Sequence, residues 1–204
     1  MQTFNSRESV LAFRPTAPSD VAFVIEAERH PENAPYIGQW SQERHMAAIA
    51  DQNEAHFIIE APPPSSRVLD GGLRDSLRDS LRDALWNSLR PIGYLILTGK
   101  TEGHRAIHLK RIVITQKGKG YGRASLRWVK AYTFETLGFH RLWFDVIESN
   151  ERAKALYLSE GFTVEGTMRD SWKTDAGYED MLLLSMLDFD YAQLTAQSLQ
   201  SGST

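Results

Sequence analysis

The stretch Lys117-Gly118-Lys119-Gly120-Tyr121-Gly122-Arg123 is the most informative part of this 204-residue chain. It lies between an extended apolar run, Ile107–Ile114, and a helical pattern that begins near Arg123. Glycines let a ligand approach the backbone closely, and the first N–H groups of a helix have no partner inside the helix. Strand, glycine-rich turn and helix in this order therefore predict a site for a pyrophosphate. A flexible turn without a ligand is the alternative.

The composition is that of an ordinary globular protein. Hydrophobic residues make up 42% and charged residues 24% of the chain, and its length suggests one domain. The formal net charge is −3, so neither nucleic acid nor an anionic membrane is expected as a partner. No apolar run is long enough for a signal peptide or a membrane span.

The chain contains no cysteine, which excludes disulfides, a cysteine nucleophile and thiolate metal sites. This composition fits a cytoplasmic location. The six histidines show no HxxxH-type spacing, so no metal site is predicted.

The order of elements predicts a mixed sheet covered by helices. Hydrophobic periodicity gives the order β-α-α-β, an insertion, and then β-β-α-β-α-β-β. Adjacent strands combined with single helical crossovers require both antiparallel and parallel pairs. We expect one domain over residues 1–188, followed by a polar tail over 189–204 that is frayed from Tyr191 onward.

A short repeat interrupts this pattern after three prolines. Leucine recurs at every fourth position, at Leu73, Leu77, Leu81, Leu85 and Leu89. This spacing gives a helical stripe that drifts around the axis, since it exceeds the helical period. We predict an insertion at about 62–90 that is an amphipathic helix or a partly disordered surface segment. The alternative is a helix that binds a partner or dimerises.

A second motif follows the glycine-rich turn, and the two together resemble a known family. The motif reads Val146-x3-Asn150-x2-Ala153-x2-Leu156-Tyr157-x3-Gly161-Phe162. With the turn, it resembles the GNAT superfamily of N-acetyltransferases, in particular the branch of the ribosomal-protein-alanine and spermidine N-acetyltransferases. The resemblance covers roughly Leu11–Leu187 apart from the insertion. It implies an α/β (α+β) fold with a mixed, mostly antiparallel sheet of six or seven strands and helices on both faces.

The resemblance implies transfer of an acetyl group from acetyl-CoA to a primary amine in a ternary complex. A protein N-terminus, a polyamine and a small-molecule amine all remain open as acceptors, and a homodimer is common among such proteins. The alternative is a catalytically weak acyl-CoA-binding sensor. It is motivated by His108, where relatives often carry Glu, and by Lys117, where Gln or Arg is usual. The presence of Tyr157 and Asn150 favours the enzyme.

The same resemblance implies roles for individual residues. Tyr157 would donate a proton to the leaving thiolate, and Asn150 would hold the pantetheine or a water. The cofactor-binding residues would be Ile112, Val113, Ile114, Lys117, Gly118, Lys119, Gly120, Tyr121, Gly122, Arg123, Asn150, Arg152 and Lys154. The acceptor side would contain Tyr36, Trp40, His108, Glu148 and Trp172.

Each of these assignments has a structural alternative. Tyr157 also falls on an apolar stripe and can serve core packing, while Asn150 can cap its helix. His108 can be a hydrogen-bonded strand residue rather than a base, and Glu148 an exposed loop carboxylate. Asp145 alternates with apolar neighbours and is expected to be structural.

Overall fold

A computed structural model describes residues 2–6, 9–63 and 88–201 of the chain. The leucine repeat of the predicted insertion lies almost entirely outside these residues, so its conformation stays a prediction. The strands are β1 Gln2–Ser6, β2 Ser9–Pro15, β3 Glu54–Ala61, β4 Arg90–Thr98, β5 Ala106–Ile114, β6 Arg141–Ile147, β7 Thr163–Thr174 and β8 Gly177–Leu187. The α-helices are α1 Val21–Arg29, α2 Gln42–Ala50, α3 Tyr121–Ala131, α4 Glu151–Ser159 and α5 Asp188–Ser201.

The described strands form one eight-stranded sheet in the order β1-β2-β3-β4-β5-β6-β8-β7. Only β5 and β6 pair in parallel, and the other neighbours are antiparallel. The predicted fold class is therefore confirmed. The additional strand is Gln2–Ser6, which joins the edge of the sheet by backbone pairing with β2. Its polar sequence has no apolar alternation, so periodicity did not predict it.

Apolar side chains pack on both faces of this sheet. Neighbouring residues of one strand point to opposite faces, and Ile58 and Ile59 accordingly belong to two different core clusters. On one face, Val24 and Ala27 of α1 pack over the centre of the sheet. On the other face, α3 contributes Trp128, which stacks on Phe13 with ring centroids 4.1 Å apart.

The polar C-terminal stretch forms helix α5, so the prediction of a frayed tail is wrong through Ser201. Tyr191 stacks on Phe134 with ring centroids 5.0 Å apart, and its hydroxyl donates a hydrogen bond to Glu135. Leu194 also packs against the main core. Two apolar residues one helical turn apart are enough to anchor a helix whose other positions are polar.

Strands β5 and β6 are paired only near their starts and then diverge. The site lies in the gap between them. Their pairing is limited to three residue pairs and ends with His108 opposite Trp143. Just beyond that point, β5 carries a bulge at Lys110, since Leu109 and Arg111 are paired with consecutive residues of β4. In the described part of the chain, no helix is long and apolar enough to cross a membrane.

A buried histidine predicts how stability depends on pH. The Nδ1 of His56 lies 2.8 Å from the Thr16 hydroxyl, and its Nε2 lies 3.4 Å from Nδ1 of His45. Burial, with the neighbouring His45, lowers the pKa of His56 from 6.5 to about 4. Between these values the unfolded chain binds a proton that the folded chain excludes. Stability is therefore lost as the pH falls through this window, by up to about 3 kcal/mol.

Replacing His56 should make stability less sensitive to acid. We expect the free energy of unfolding of His56→Gln to change less between pH 7 and pH 5 than that of the wild type, by about 2 kcal/mol. Urea unfolding at the two pH values measures this difference. The exposed His104→Gln is the control and should behave as the wild type. Equal pH dependence in His56→Gln and wild type would contradict the assignment.

Candidate active site

A cleft of about 1030 Å³ opens where β5 and β6 diverge. Its walls are the second half of β5, the glycine-rich turn, the first turns of α3 and α4, and the loop before α2. The structure brings most of the predicted residues to this cleft. They are Ile112, Val113, Ile114, Lys117, Gly118, Gly120, Tyr121, Gly122, Arg123, Asn150, Arg152 and Tyr157, with Tyr36, Trp40 and Trp172 on the acceptor side.

Four predicted residues, Lys119, Lys154, His108 and Glu148, do not line the cleft. Lys119 donates to the Gln116 side chain at 3.0 Å, and Lys154 donates to Glu151 at 2.6 Å. His108 binds Asp145, whose carboxylate it approaches to 3.3 Å. Glu148 lines a smaller neighbouring pocket instead.

The glycine-rich turn leaves the start of α3 open. Gly118 and Gly120 have φ values of 76° and 75°, a left-handed conformation that glycine adopts without strain. Gly120 is the N-cap of α3 and offers no side chain to the helix. The first helical hydrogen bond runs from Ala124 N–H to the Gly120 carbonyl at 3.0 Å. The N–H groups of residues 121–123 precede that bond and are available to an anion in the cleft.

Two cations converge on the same end of the cleft. Lys117 is half-buried and donates to the Asn33 side chain. Burial, together with the charge of Arg152, lowers the pKa of Lys117. Two cations that repel one another beside an uncapped helix start form an arrangement that an anionic ligand relieves.

The side chain of Arg123 is engaged in an ion pair, although its position in the motif predicts a phosphate contact. Its Nη1 lies 2.6 Å from the Glu160 carboxylate, which also binds Arg127 and Lys130. Glu160 is buried and ends α4, so these ion pairs join α3 to α4. Arg123 does line the cleft, and its contact with a phosphate stays a prediction.

Tyr157 combines the two roles that the sequence left open. Its ring packs on Phe144 with centroids 4.4 Å apart, yet the residue lines the cleft. Its hydroxyl makes no hydrogen bond with any residue that the structure describes. Burial, together with the negative charge of Asp145, raises the pKa of Tyr157 to about 12. The phenol therefore keeps its proton at neutral pH.

Asn150 is the N-cap of α4 and also faces the cleft. Its Oδ1 accepts the Ala153 N–H at 3.2 Å, which confirms the capping interpretation. Capping uses only the oxygen, so the amide nitrogen retains its two donors for a ligand.

Asp145 is a site residue that the sequence analysis treated as structural. It lines the cleft, and its charge acts on Tyr157. A hydrogen bond from His108 lowers the pKa of Asp145, and His108 itself stacks on Trp143 at 3.9 Å between centroids. One sequence signal pointed to it, since a carboxylate interrupts an apolar strand just before the second motif.

The acceptor side of the cleft contains aromatic residues, but Trp40 is already engaged. The guanidinium carbons of Arg44 and Arg111 lie 4.0 and 4.1 Å from a ring centroid of Trp40. Both arginines therefore make cation–π contacts that occupy part of the indole surface. Tyr36, which is exposed, and Trp172 remain as surfaces for an acceptor.

Comparisons with known proteins agree with this geometry. A family model described as the Acetyltransferase (GNAT) family matches residues 26–162, more than half of the chain. Spermidine N(1)-acetyltransferase of Escherichia coli K12 is 21% identical over 189 residues, covering 87% of this chain and 86% of that protein. The Vibrio cholerae spermidine N(1)-acetyltransferase is 27% identical over 89 residues. This match covers 43% of this chain and 51% of the Vibrio cholerae protein.

A solved structure shows the same fold. The crystal structure of spermidine N-acetyltransferase from Vibrio cholerae in complex with CoA and spermine has a TM-score of 0.70 and 20% identity, covering 89% of this chain and 98% of that chain. The extent of the family match confirms the resemblance and the class of enzyme that the two motifs predicted. The chain therefore belongs to the GNAT family of acetyl-CoA-dependent acetyltransferases.

Proposed function

We propose that this protein transfers the acetyl group of acetyl-CoA to a primary amine of a linear polyamine, by direct attack in a ternary complex. The observation that carries the proposal is the cleft between β5 and β6. An open helix start with two cations lies at one end of it, and Tyr157 and Asp145 lie on its wall.

The cofactor would lie along the parting strands. Its pyrophosphate would accept hydrogen bonds from the N–H groups at the start of α3, with Lys117 and Arg152 nearby. Its pantetheine amides would pair with the backbone of Ile112–Ile114, which has no partner on β6. The amide of Asn150 would hold the pantetheine from the other side. The thioester then lies close to the bulge and to Tyr157.

The reaction needs one proton acceptor and one proton donor. The neutral amine nitrogen attacks the thioester carbon, and a backbone N–H at the bulge stabilises the oxyanion. The attacking nitrogen becomes positively charged, and its proton goes to Asp145. As the carbon–sulfur bond breaks, Tyr157 gives its proton to the CoA sulfur. Solvent returns the proton from Asp145 to Tyr157, so that an amide and a thiol are the net products.

Carboxylates around the cleft support a polyamine as acceptor. Glu32 and Asp145 line the cleft itself. An adjoining pocket of about 450 Å³ shares Ser149 and Glu151 with it. That pocket is lined by four carboxylates, those of Glu148, Glu151, Glu179 and Asp180, and by one lysine. Several ammonium groups on one chain match this charge distribution. The names of the relatives point to the same acceptor class.

The alternative of a catalytically weak sensor loses its main motivation in the structure. It rested on Lys117 and on His108, which replaces a strand carboxylate that is frequent in relatives. The structure places the carboxylate of Asp145 within 3.3 Å of this histidine and in the cleft. A proton acceptor is therefore available from the neighbouring strand.

Free-thiol release from acetyl-CoA tests the proposed function directly. DTNB detects the CoA thiol, and the acceptors are spermidine, spermine, peptides with different N-termini, and an aminoglycoside. We expect release that depends on spermidine or spermine. Release with peptides alone would contradict the acceptor class, while CoA binding without release for any amine would favour the sensor.

A homodimer stays a proposal as well. A Vibrio cholerae spermidine N-acetyltransferase structure is described as dodecameric, so assembly occurs in this fold. Sedimentation of the purified protein distinguishes a monomer, a dimer and a larger assembly.

Tyr157→Phe should lower turnover more than it lowers cofactor affinity. Without the phenolic proton, the thiolate must leave unprotonated, which costs roughly 100-fold in kcat. The Kd for acetyl-CoA, measured by calorimetry, should change little because the ring is retained. Tyr132→Phe is the matched control, a half-buried tyrosine outside the cleft, and should keep full activity. Equal kcat in Tyr157→Phe and wild type would remove Tyr157 from the mechanism.

Gly120→Val should abolish binding of CoA. A valine at a φ of 75° is strained, by about 1–2 kcal/mol or more, and its side chain blocks access to the backbone. Gly120→Asn should bind better than Gly120→Val, because asparagine adopts this conformation more readily. Gly103→Val, in open surroundings, is the control. Unchanged affinity in Gly120→Val would give the turn another role.

Asp145→Asn should lower kcat by roughly 100-fold, because the amide cannot accept the proton of the attacking nitrogen. Steady-state kinetics with spermidine measures the effect, and Asp175→Asn on the exposed hairpin turn should have none. If Asp145→Asn raised only the KM for the acceptor, Asp145 would bind the ammonium group without taking its proton.

A further inference from the structure

A buried polar cluster lies beside the bulge of β5, and none of the steps above uses it. Its centre is Glu28 of α1, a side chain that is 1% exposed. One carboxylate oxygen accepts the hydroxyl of Tyr94 at 2.6 Å, lies 3.1 Å from Nε2 of His45, and accepts a hydrogen bond from Arg111. The other oxygen accepts the backbone N–H of Trp40 at 3.0 Å.

The charge balance of this cluster depends on Arg111. Burial by itself would raise the pKa of Glu28, but hydrogen bonds from His45, Tyr94 and Trp40 and the charge of Arg111 hold this pKa below its usual value. Glu28 is therefore ionised, and the buried guanidinium of Arg111 pairs with it. A buried carboxylate that loses such a partner is strongly destabilised, so the pair holds together tightly.

Arg111 lines the cleft, and its side chain contacts residues of several other elements. Its side chain is buried, stacks on Trp40 at 4.1 Å and binds Glu28. A Cβ atom placed on Gly38 would lie 3.6 Å from its Nη2, so the loop before α2 also packs against it. Helix α1, this loop and strand β4, through the Tyr94 hydroxyl, thus converge on one residue of β5.

That residue directly follows the bulge. Ile96 is paired with Arg111 and Leu97 with Leu109, so Lys110 is the extra residue of β5. The last pair between β5 and β6 lies just before it, at His108. A bulge turns backbone groups away from the regular ladder, and the direction in which they point follows from how its flanking residues are held.

We propose that Glu28 and Arg111 are positioning residues for the thioester. By fixing the residue after the bulge, this pair aims the backbone N–H group of Lys110, which is unpaired on β4, at the carbonyl oxygen of acetyl-CoA. The inference rests on the proposed function, which places the thioester where β5 and β6 diverge. Arg111 acts through its own backbone, and Glu28 acts through Arg111.

The carbonyl stretching band of bound acetyl-CoA reports this effect without turnover. Acetyl-CoA labelled with ¹³C at the acetyl carbonyl is bound to the full chain without an acceptor, and difference infrared spectra are recorded. In the wild type, we expect the band to shift to lower wavenumber on binding. Glu28→Gln and Arg111→Met should lose most of that shift. Their kcat should fall by about 10- to 100-fold, while the Kd for CoA stays within about twofold, because CoA has no acetyl carbonyl to aim at.

Two further variants separate positioning from stability. Arg111→Lys keeps the charge but not the planar fork and should give an intermediate band shift. Arg14 pairs with Asp20 at 2.6 Å and Glu60 at 3.0 Å, outside the cleft. Arg14→Gln is thus the matched control, which should lower the unfolding temperature but leave the band unchanged. If Arg111→Met does not fold, the near-isosteric Glu28→Gln and Arg111→Lys provide the same measurement.

Several outcomes would overturn the inference. A wild-type band that does not shift, or a full shift in both Glu28→Gln and Arg111→Lys, would show that the pair does not aim the backbone donor. An effect confined to the KM for the amine would place Arg111 in acceptor binding instead. If the wild type failed to bind acetyl-CoA in calorimetry, the proposed function itself would fail, which calorimetry distinguishes from a band that merely does not shift.

Discussion

The parting of β5 and β6 after His108 and Trp143 is the constraint on which the rest of the structure depends. Backbone N–H and C=O groups inside a protein need partners, and a strand that leaves its neighbour loses them. Where β5 and β6 diverge, the β6-facing backbone groups of Ile112–Ile114 have no strand partner, and the starts of α3 and α4 flank them. A ligand with amides and phosphates can satisfy both sets of groups at once. In this sense, the cleft follows from an interrupted sheet as much as from any individual side chain.

Three carboxylates hold the walls of this cleft, and their differing burial explains their differing roles. Glu160 is buried and gathers three cations of α3, so that it fixes α3 against α4. Glu28 is buried and joins α1 to Arg111 on the opposite wall. Each carboxylate is ionised because charged and neutral donors surround it. Asp145 is more exposed, has one close partner in His108, and faces the cleft, where a charge can still meet a substrate.

The parts of the site that sequence predicted well are those specified by neighbouring residues. The turn at Gly118 and Gly120 needs left-handed backbone, and glycine provides it wherever the rest of the fold lies. Asn150 caps α4 because its side chain reaches the N–H three residues later. Other features escaped prediction. Helix α5 is ordered by Tyr191 and Leu194, and Tyr191 stacks on Phe134, which lies far away in sequence. Lys119 and Lys154 do not line the cleft, and each donates to an acceptor three residues away.

The sequence by itself determined the family, the order of the elements, the glycine-rich turn and the presence of Tyr157 at its position in the second motif. All of these are encoded in local spacing and backbone preference. Only the tertiary structure decided that Asp145 lines the same cleft as Tyr157, that Arg44 and Arg111 stack on Trp40, and that Glu28 reaches Arg111. Glu28 and Arg111 lie 83 positions apart, and such residues meet because the sheet brings separate elements of the chain together. A single sequence lists the residues of each contact but does not show that they touch. That depends on strand register and on packing.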